Sequence, residues 1–349
     1  MKITLINRRK KLASERWAGL KTAKNHASSR VPPEMPADLR SFAAPATDAP
    51  TNQNPFEPTQ QFLFSDDDFQ RLQKMIFDYA GISLNDSKRS MAYSRLTKRL
   101  RYLGVSSFSE YLDIVESHQA VDDSERIAFI NSLTTNLTAF FREAHHFPLL
   151  TEHLLKLHEA NPGKTLTVWS AACSTGEEPY SIAMAVVEAF GMDEPPVRII
   201  ASDLDTAALA AAREGVYAVE KIATLDPVKL KRFFLKGAGA HLGLAKIRPQ
   251  LQRLVTFEQV NLNELDWPIQ APLAAIFCRN VMIYFNKQTQ SDILRRFVPL
   301  LTPNGLLFAG HSENFFYNAS EYFRIRGKTV YEVETGQAGG MASRSRSVL

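Results

Sequence analysis

At 349 residues the chain is long enough for two domains and a tail around a sizeable core. No apolar run approaches the roughly 18 residues that span a bilayer, and no secretory segment follows Met1, so a cytoplasmic protein without direct membrane insertion is expected. The net charge of +4 conceals an asymmetry: residues 1–30 carry +8 and the remainder −4, which argues against a nucleic-acid-binding surface spread over the fold.

Residues 1–60 are basic and then rich in Pro, Ala, Thr and Asn without periodicity, which predicts a disordered extension. A helical domain is predicted over 61–148, opening on the cap-like Ser65-Asp66-Asp67-Asp68. Within it, LNDSKRSMAYSRLTKRLRYLG (Leu84–Gly104) is read as a helix. At about 100° per residue, Lys88, Arg95 and Arg99 share one side, with Lys98 and Arg101 further round it; Tyr93, Leu96, Leu100 and Leu103 share the other and should pack inward. The exposed basic stripe is either an ordinary solvated face or a docking surface for a carboxylate-rich partner. Aromatic residues interleaved for base stacking are missing from it. In SLTTNLTAFFREAHHFPLL (Ser132–Leu150), Asn136, Thr138 and Arg142 form a polar series among Leu137, Phe140 and Phe141, and Arg142 suits a carboxylate. His145 and His146 read as structural, having neither a nucleophile nor a ligand cluster beside them in the sequence.

From residue 149 to 335 the pattern becomes α/β. TVWSAACSTGEEPYSIAMAVVEAF, from Thr167 to Phe190, is an apolar strand, a small-residue turn and a long helix, the arrangement by which a doubly wound sheet builds a nucleoside pocket. Acids at the helix start, Glu177 and Glu178, would repel a pyrophosphate and welcome a cationic amine and sulfonium, so S-adenosylmethionine is favoured over NAD. A second strand (Val197–Asp205) brings Asp203 to where ribose hydroxyls are bound, although such an acid also caps helices. A third (Leu254–Leu265) carries Asn261 and Leu262 for an adenine edge and face, and a fourth (Leu273–Phe285) carries Arg279, Asn280 and Tyr284. Further strands are predicted at Gly305–His311 and Thr329–Glu334, with a loose tail over 336–349. Cys173 and Cys278 lack the paired histidines of a zinc pattern and read as buried thiols.

The motifs AGISLNDSKRSMAYSRLTKRL, TTNLTAFFREAHHFP, WSAACSTGEEPYSIA, ASDLDT, FCRNVMIYF and LLFAGHSENF, in this order, resemble the chemotaxis receptor methyltransferases of the CheR family from about Phe62 to Glu334. The resemblance implies a small all-helical domain before a Rossmann-like S-adenosylmethionine-dependent methyltransferase domain with an inserted β-subdomain, here about 217–257. It implies that Asn136, Thr138, Arg142, Glu177, Asp203, Asn261, Leu262, Asn280 and Val281 contact the cofactor, with Arg142 and Tyr284 close to the transferring methyl group. The implied acceptors are glutamate side chains on the cytoplasmic helical bundle of methyl-accepting chemotaxis receptors, and the implied docking residues are Lys88, Arg95, Lys98 and Arg101. A glycine-rich loop with Gly237, Gly239 and Gly243 is implied to lie where a receptor's C-terminal peptide tether binds. A monomer recruited to membrane receptor arrays follows as an expectation, with no metal and no nucleic acid. Two departures stand out: the N-terminal extension, and Cys173 where alanine is expected. A nucleic-acid methyltransferase and a non-catalytic cofactor-binding scaffold are the competing readings.

Overall fold

A computed structural model describes residues 62–117, 124–315 and 320–334; the predicted extension and tail fall outside them. Helices α1 (Asp66–Ala80), α2 (Arg89–Leu103), α3 (Phe108–Glu116) and α4 (Ser124–Leu133) form a first layer. Ser65 begins α1 through a reciprocal box, its hydroxyl accepting the Asp68 N–H while the Asp68 carboxylate accepts that of Ser65. Leu72, Ile76, Leu96, Leu100, Leu112 and Phe129 make the core of the layer. Tyr93 stacks on Phe108 with ring centroids 5.4 Å apart, as its side of α2 requires. Leu103 does not follow: at the last turn of α2 it is 37% exposed.

The chain then enters the second layer through α5 (His146–Ala160), β1 (Leu166–Ser170), α6 (Glu177–Phe190), β2 (Val197–Asp203) and α7 (Thr206–Glu214). An insert follows, with β3 (Val216–Ala218), α8 (Pro227–Phe233), β4 (Phe234–Lys236) and β5 (Leu244–Ile247). The remainder is β6 (Val255–Gln259), β7 (Leu273–Cys278), α9 (Lys287–Phe297), β8 (Leu301–Ala309), β9 (Phe323–Gly327) and β10 (Val330–Val333). Phe140 and Phe147 already belong to the core of this layer, so the chain leaves the helical layer before Phe140 rather than at residue 148.

The main sheet has the order β6-β2-β1-β7-β8-β10-β9. Its first five strands are parallel, and β10 pairs antiparallel with both β8 and β9. Alternation along β1 sends Val168 to one face, with Phe277 and Phe308, and Trp169 to the other, with Ile276 and Phe297. Covered on both faces, β7 is buried at every position, which is why its sequence is an unbroken apolar run. The order reverses at β1, between β2 and β7, and opens a crevice beyond the carboxyl ends of these strands. The insert is a separate antiparallel sheet of order β3-β5-β4, and β6 returns to the main sheet, so the insert closes before Val255 rather than near 257.

Inside the helical layer, Glu125 accepts hydrogen bonds from the Arg99 Nε at 3.1 Å and the Tyr111 hydroxyl at 3.0 Å. Removing this acid leaves a cation and a buried hydroxyl without their acceptor. Glu125→Ala is expected to lower the urea-unfolding free energy of the full chain by about 2 to 3 kcal/mol. A loss below roughly 0.5 kcal/mol would contradict a structural role for the pair.

Candidate active site

A cavity of about 460 Å³ occupies the crevice. Loops after the parallel strands supply Ala171, Ala172 and Ser174 beyond β1, Asp203 and Leu204 beyond β2, Asn261 and Leu262 beyond β6, and Arg279, Asn280 and Val281 beyond β7. The opposite wall is the helical layer, with Ala80, Ile82, Lys88, Met91 and Arg95. Hydrogen bonds lock the two walls together: Ser83 N–H to the Tyr284 carbonyl at 2.8 Å, the Asn261 amide to the Tyr79 carbonyl at 2.9 Å, and Asn131 to Thr206 at 3.1 Å.

The linker over 134–142 forms a third side. Thr134 and Asn136 both donate to Asp205 Oδ2, at 2.9 and 2.7 Å, while Asp205 Oδ1 caps α7 through Ala207 and Ala208 N–H. Arg142 also lines the cavity and donates to the Leu137 carbonyl at 2.9 Å. Its neighbours Phe141 and Glu143 have φ of 52° and 56°, left-handed conformations disfavoured for these residue types. Such backbone is kept where the surroundings over-determine it.

Of the sequence-derived residues, Asn136, Thr138, Arg142, Asp203, Asn261, Leu262, Asn280, Val281 and Tyr284 converge on this cavity. Glu177 does not. It turns away from the crevice, accepting from Lys221 at 2.7 Å and from the Thr175 hydroxyl at 2.6 Å. Its neighbour Glu178 lines the cavity in its place, paired with Arg279 at 3.0 Å and bonded to the Ser170 hydroxyl at 2.8 Å. Consecutive helix residues point about 100° apart, so of two adjacent acids only one could face the strand ends, and the sequence did not say which. Asp203 lines the cavity, and its oxygens accept the Ser174 and Asp205 N–H at 2.7 and 2.9 Å; the cap of α7 is Asp205 instead.

The basic stripe divides. Lys98 and Arg101 are exposed on α2, and Lys88 is exposed at its start. Arg95 is drawn inward, donating to the Leu133 and Thr134 carbonyls at 3.0 and 2.7 Å and to the Thr135 hydroxyl at 3.2 Å, while Arg99 pairs with Glu125. Gly237, Gly239 and Gly243 lie in the β4–β5 connection; a Cβ on Gly237 would sit 2.0 Å from the His241 carbonyl oxygen, so the turn itself demands glycine there. Cys173 and Cys278 are buried free thiols.

With this geometry in place, comparison with known proteins decides the family. Residues 67–134 match the family model described as CheR methyltransferase, all-alpha domain, and residues 136–332 match CheR methyltransferase, SAM binding domain. The chain belongs to the CheR methyltransferase family. A chemotaxis protein methyltransferase of Salmonella typhimurium is 52% identical over 280 residues, covering 80% of this chain and 94% of that protein. One from Escherichia coli is 51% identical over 273 residues (78% and 93%), and chemotaxis protein methyltransferase 2 of Pseudomonas aeruginosa is 50% identical over 278 (80% and 97%).

The cofactor of this CheR-family enzyme is S-adenosyl-L-methionine, and the residues present suit it. The volume is that of a small-molecule site, and the floor is the side-chain-poor Ala171-Ala172 turn. Burial pushes the Asp203 and Glu178 carboxyls above the usual carboxylate range, a cost that a cationic amine or sulfonium nearby offsets. The Arg279 Nε is buried and has no partner among the described residues, a donor available to a ligand.

Two supports of the site escaped the sequence reading. Gln290, on α9, donates to the Met282 and Phe285 carbonyls at 2.8 and 3.0 Å, fixing the turn that carries Tyr284. Glu313, in GHSEN, accepts backbone N–H groups of the loop after β7. Glu313 acts on a segment distant in sequence, and Gln290 on backbone carbonyls of a turn that carries no periodic pattern.

His146 is fully buried, bonded to the Thr329 hydroxyl at 2.9 Å and outside the cavity lining; the fold brings Glu143 beside it and His145, a grouping the sequence did not show. Burial, Arg279 and His145 together push its pKa down to about 3. The unfolded chain therefore binds a proton, below about pH 6.5, that the folded one refuses until about pH 3, and stability must fall as pH drops through that window. Glu143 stands 3.9 Å away and does not reverse the direction. His146→Gln is expected to remove up to about 1.4 kcal/mol per pH unit of this slope in unfolding measurements between pH 6.5 and 4. Parallel curves for the two proteins would contradict it.

Proposed function

We propose that this enzyme transfers the methyl group of S-adenosyl-L-methionine to glutamate side chains on the cytoplasmic helical domain of chemoreceptors, forming γ-glutamyl methyl esters. When bound, the cofactor supplies an electrophilic methyl group on a sulfonium. The observation that carries the reading is the make-up of the cavity wall: Arg142 and Tyr284 line it, and no histidine does among the described residues, His145 and His146 being engaged by Lys328 and Thr329. An acceptor glutamate, with an ordinary pKa near 4.3, is already anionic at neutral pH and needs no base to attack carbon. What it needs is alignment and partial dehydration.

The chain's own residues serve these needs. Arg142, held by the Leu137 carbonyl, attracts and orients the incoming carboxylate, and the Tyr284 hydroxyl gives it a second, neutral contact. Asn136, Thr138, Asp203, Asn261, Leu262, Asn280 and Val281 hold the cofactor, with Glu178 taking the position expected of Glu177. Leu137 and Ile283, 79% and 50% exposed among the cavity-lining residues, form an apolar rim that a docked receptor helix covers, excluding water.

Lys98 and Arg101 act as the docking cations together with Lys88, whereas Arg95 serves the linker. The peptide tether adds to the edge strand β4, beside an apolar groove floored by Ile222, Leu230 and Phe234 and rimmed by Lys231, Lys236 and Arg248. Such a groove suits an apolar peptide end with a terminal carboxylate.

Incubating the enzyme with methyl-labelled cofactor and a receptor cytoplasmic fragment is expected to put label on the receptor that mild base releases as methanol. Base-stable label, or label on nucleic acid instead, would overturn the reading. Tyr284→Phe is expected to lower turnover about tenfold or more at unchanged cofactor affinity; full turnover would remove the tyrosine from this role. Lys98→Glu combined with Arg101→Glu is expected to raise the KM for receptor and flatten its salt dependence without changing the KM for cofactor. Unaltered receptor kinetics would refute docking through this face.

A further inference from the structure

The buried acid Glu313 stands outside the cavity lining and is 4% exposed. Its Oε2 accepts the N–H of Asn280 at 2.8 Å and of Gly310 at 2.6 Å, and its Oε1 accepts the N–H of Met282 at 2.8 Å. One carboxylate thus gathers donors from the ends of two adjacent parallel strands, β7 and β8. The acceptor count explains the residue type: a charged, two-oxygen acceptor can take several N–H groups at once, where an amide offers one oxygen.

The gathered loop is not relaxed. Asn280 has φ of 58°, a left-handed backbone that glycine or a locally bonded asparagine adopts most readily. The same loop carries Arg279, whose guanidinium pairs with Glu178 and donates to the Arg142 carbonyl. On the β8 side, a Cβ on Gly310 would lie 2.3 Å from the Asn280 side-chain nitrogen. Gly310 therefore leaves the space that Asn280 occupies, and Glu313 bonds the backbone on both sides of it.

We propose that Glu313 is a positioning residue for cofactor binding: through the N–H groups of Asn280 and Met282 it holds the Arg279–Val281 turn so that Asn280 and Val281 face the cavity. Burial pushes the Glu313 carboxyl upward while the backbone N–H groups oppose that shift. The charge is thus balanced by peptide dipoles rather than by a cation. The inference rests on the reading that Asn280 contacts the cofactor.

The test compares Glu313→Gln, Gly310→Ala and Asn280→Ala by calorimetric titration with S-adenosylhomocysteine, a stable analogue, and by steady-state kinetics on a receptor fragment. Glu313→Gln keeps the side-chain volume and replaces one acceptor oxygen by a donor that meets a backbone N–H. It is expected to weaken analogue binding and raise the KM for cofactor about tenfold, with the KM for receptor and the turnover at saturating cofactor each within about threefold of wild type. Gly310→Ala, whose added Cβ crowds the Asn280 side chain and backbone nitrogen while leaving the Glu313 side chain itself in place, is expected to give the same signature and carries the test if Glu313→Gln fails to fold. A folded Glu313→Gln or Gly310→Ala protein that melts lower yet binds the analogue like wild type, while Asn280→Ala binds it weakly, overturns the inference and leaves the site reading standing. Wild-type affinity in Asn280→Ala overturns the site reading, and the inference with it.

Discussion

Carboxylates that gather hydrogen bonds from backbone N–H groups, and in Asp205 also from linker side chains, hold together the rim of this sheet. Asp203 bonds the turn after β1 to the turn after β2, Asp205 bonds the linker to the start of α7, and Glu313 bonds the turn after β7 to that after β8. Each acid is costly to bury and is tolerated because several donors converge on it. Loops so fastened present the same side chains to the cavity each time a ligand enters, which lowers the ordering cost of binding.

The cavity is shared between two layers. The helical layer is itself a wall of the cavity, since Ile82 bridges Phe285 and Ser83 bonds Tyr284 on the far side. Arg95 illustrates the coupling: it sits on the helix that bears the exposed Lys98 and Arg101, yet it fastens the carbonyls of Leu133 and Thr134, just before Asn136. A partner meeting α2 therefore touches the element that supports the cofactor side of the linker.

Much of this was legible in the sequence. The apolar runs fixed the central strands, because parallel strands covered on both faces need unbroken hydrophobic residues, and their carboxyl ends located the crevice before any coordinates. Less visible was β9, whose Phe-Arg-Ile-Arg-Gly alternation is short and lies at the sheet edge, with Ile325 60% exposed. The choice between Glu177 and Glu178 depended on the helix phase at its first turn, which composition does not give. Arg95 looked like its stripe neighbours because periodicity reports the side of a helix and not the acceptors waiting beside it. Glu313 was illegible because, apart from Gly310, its partners lie 31 to 33 residues away in a turn that becomes its neighbour only after the sheet has formed, and Gln290 because its acceptors are backbone carbonyls in a non-periodic turn.

The central claim is that the acceptor is a carboxylate already ionised, so the protein aligns and dehydrates it without removing a proton. The pH dependence of turnover at saturating cofactor and receptor addresses this most directly. Turnover is expected to be flat from about pH 6 to 8.5 and to fall only on the acid side, as the acceptor carboxylate protonates. A rise in rate governed by a group titrating near pH 7 would show a general base at work and contradict it.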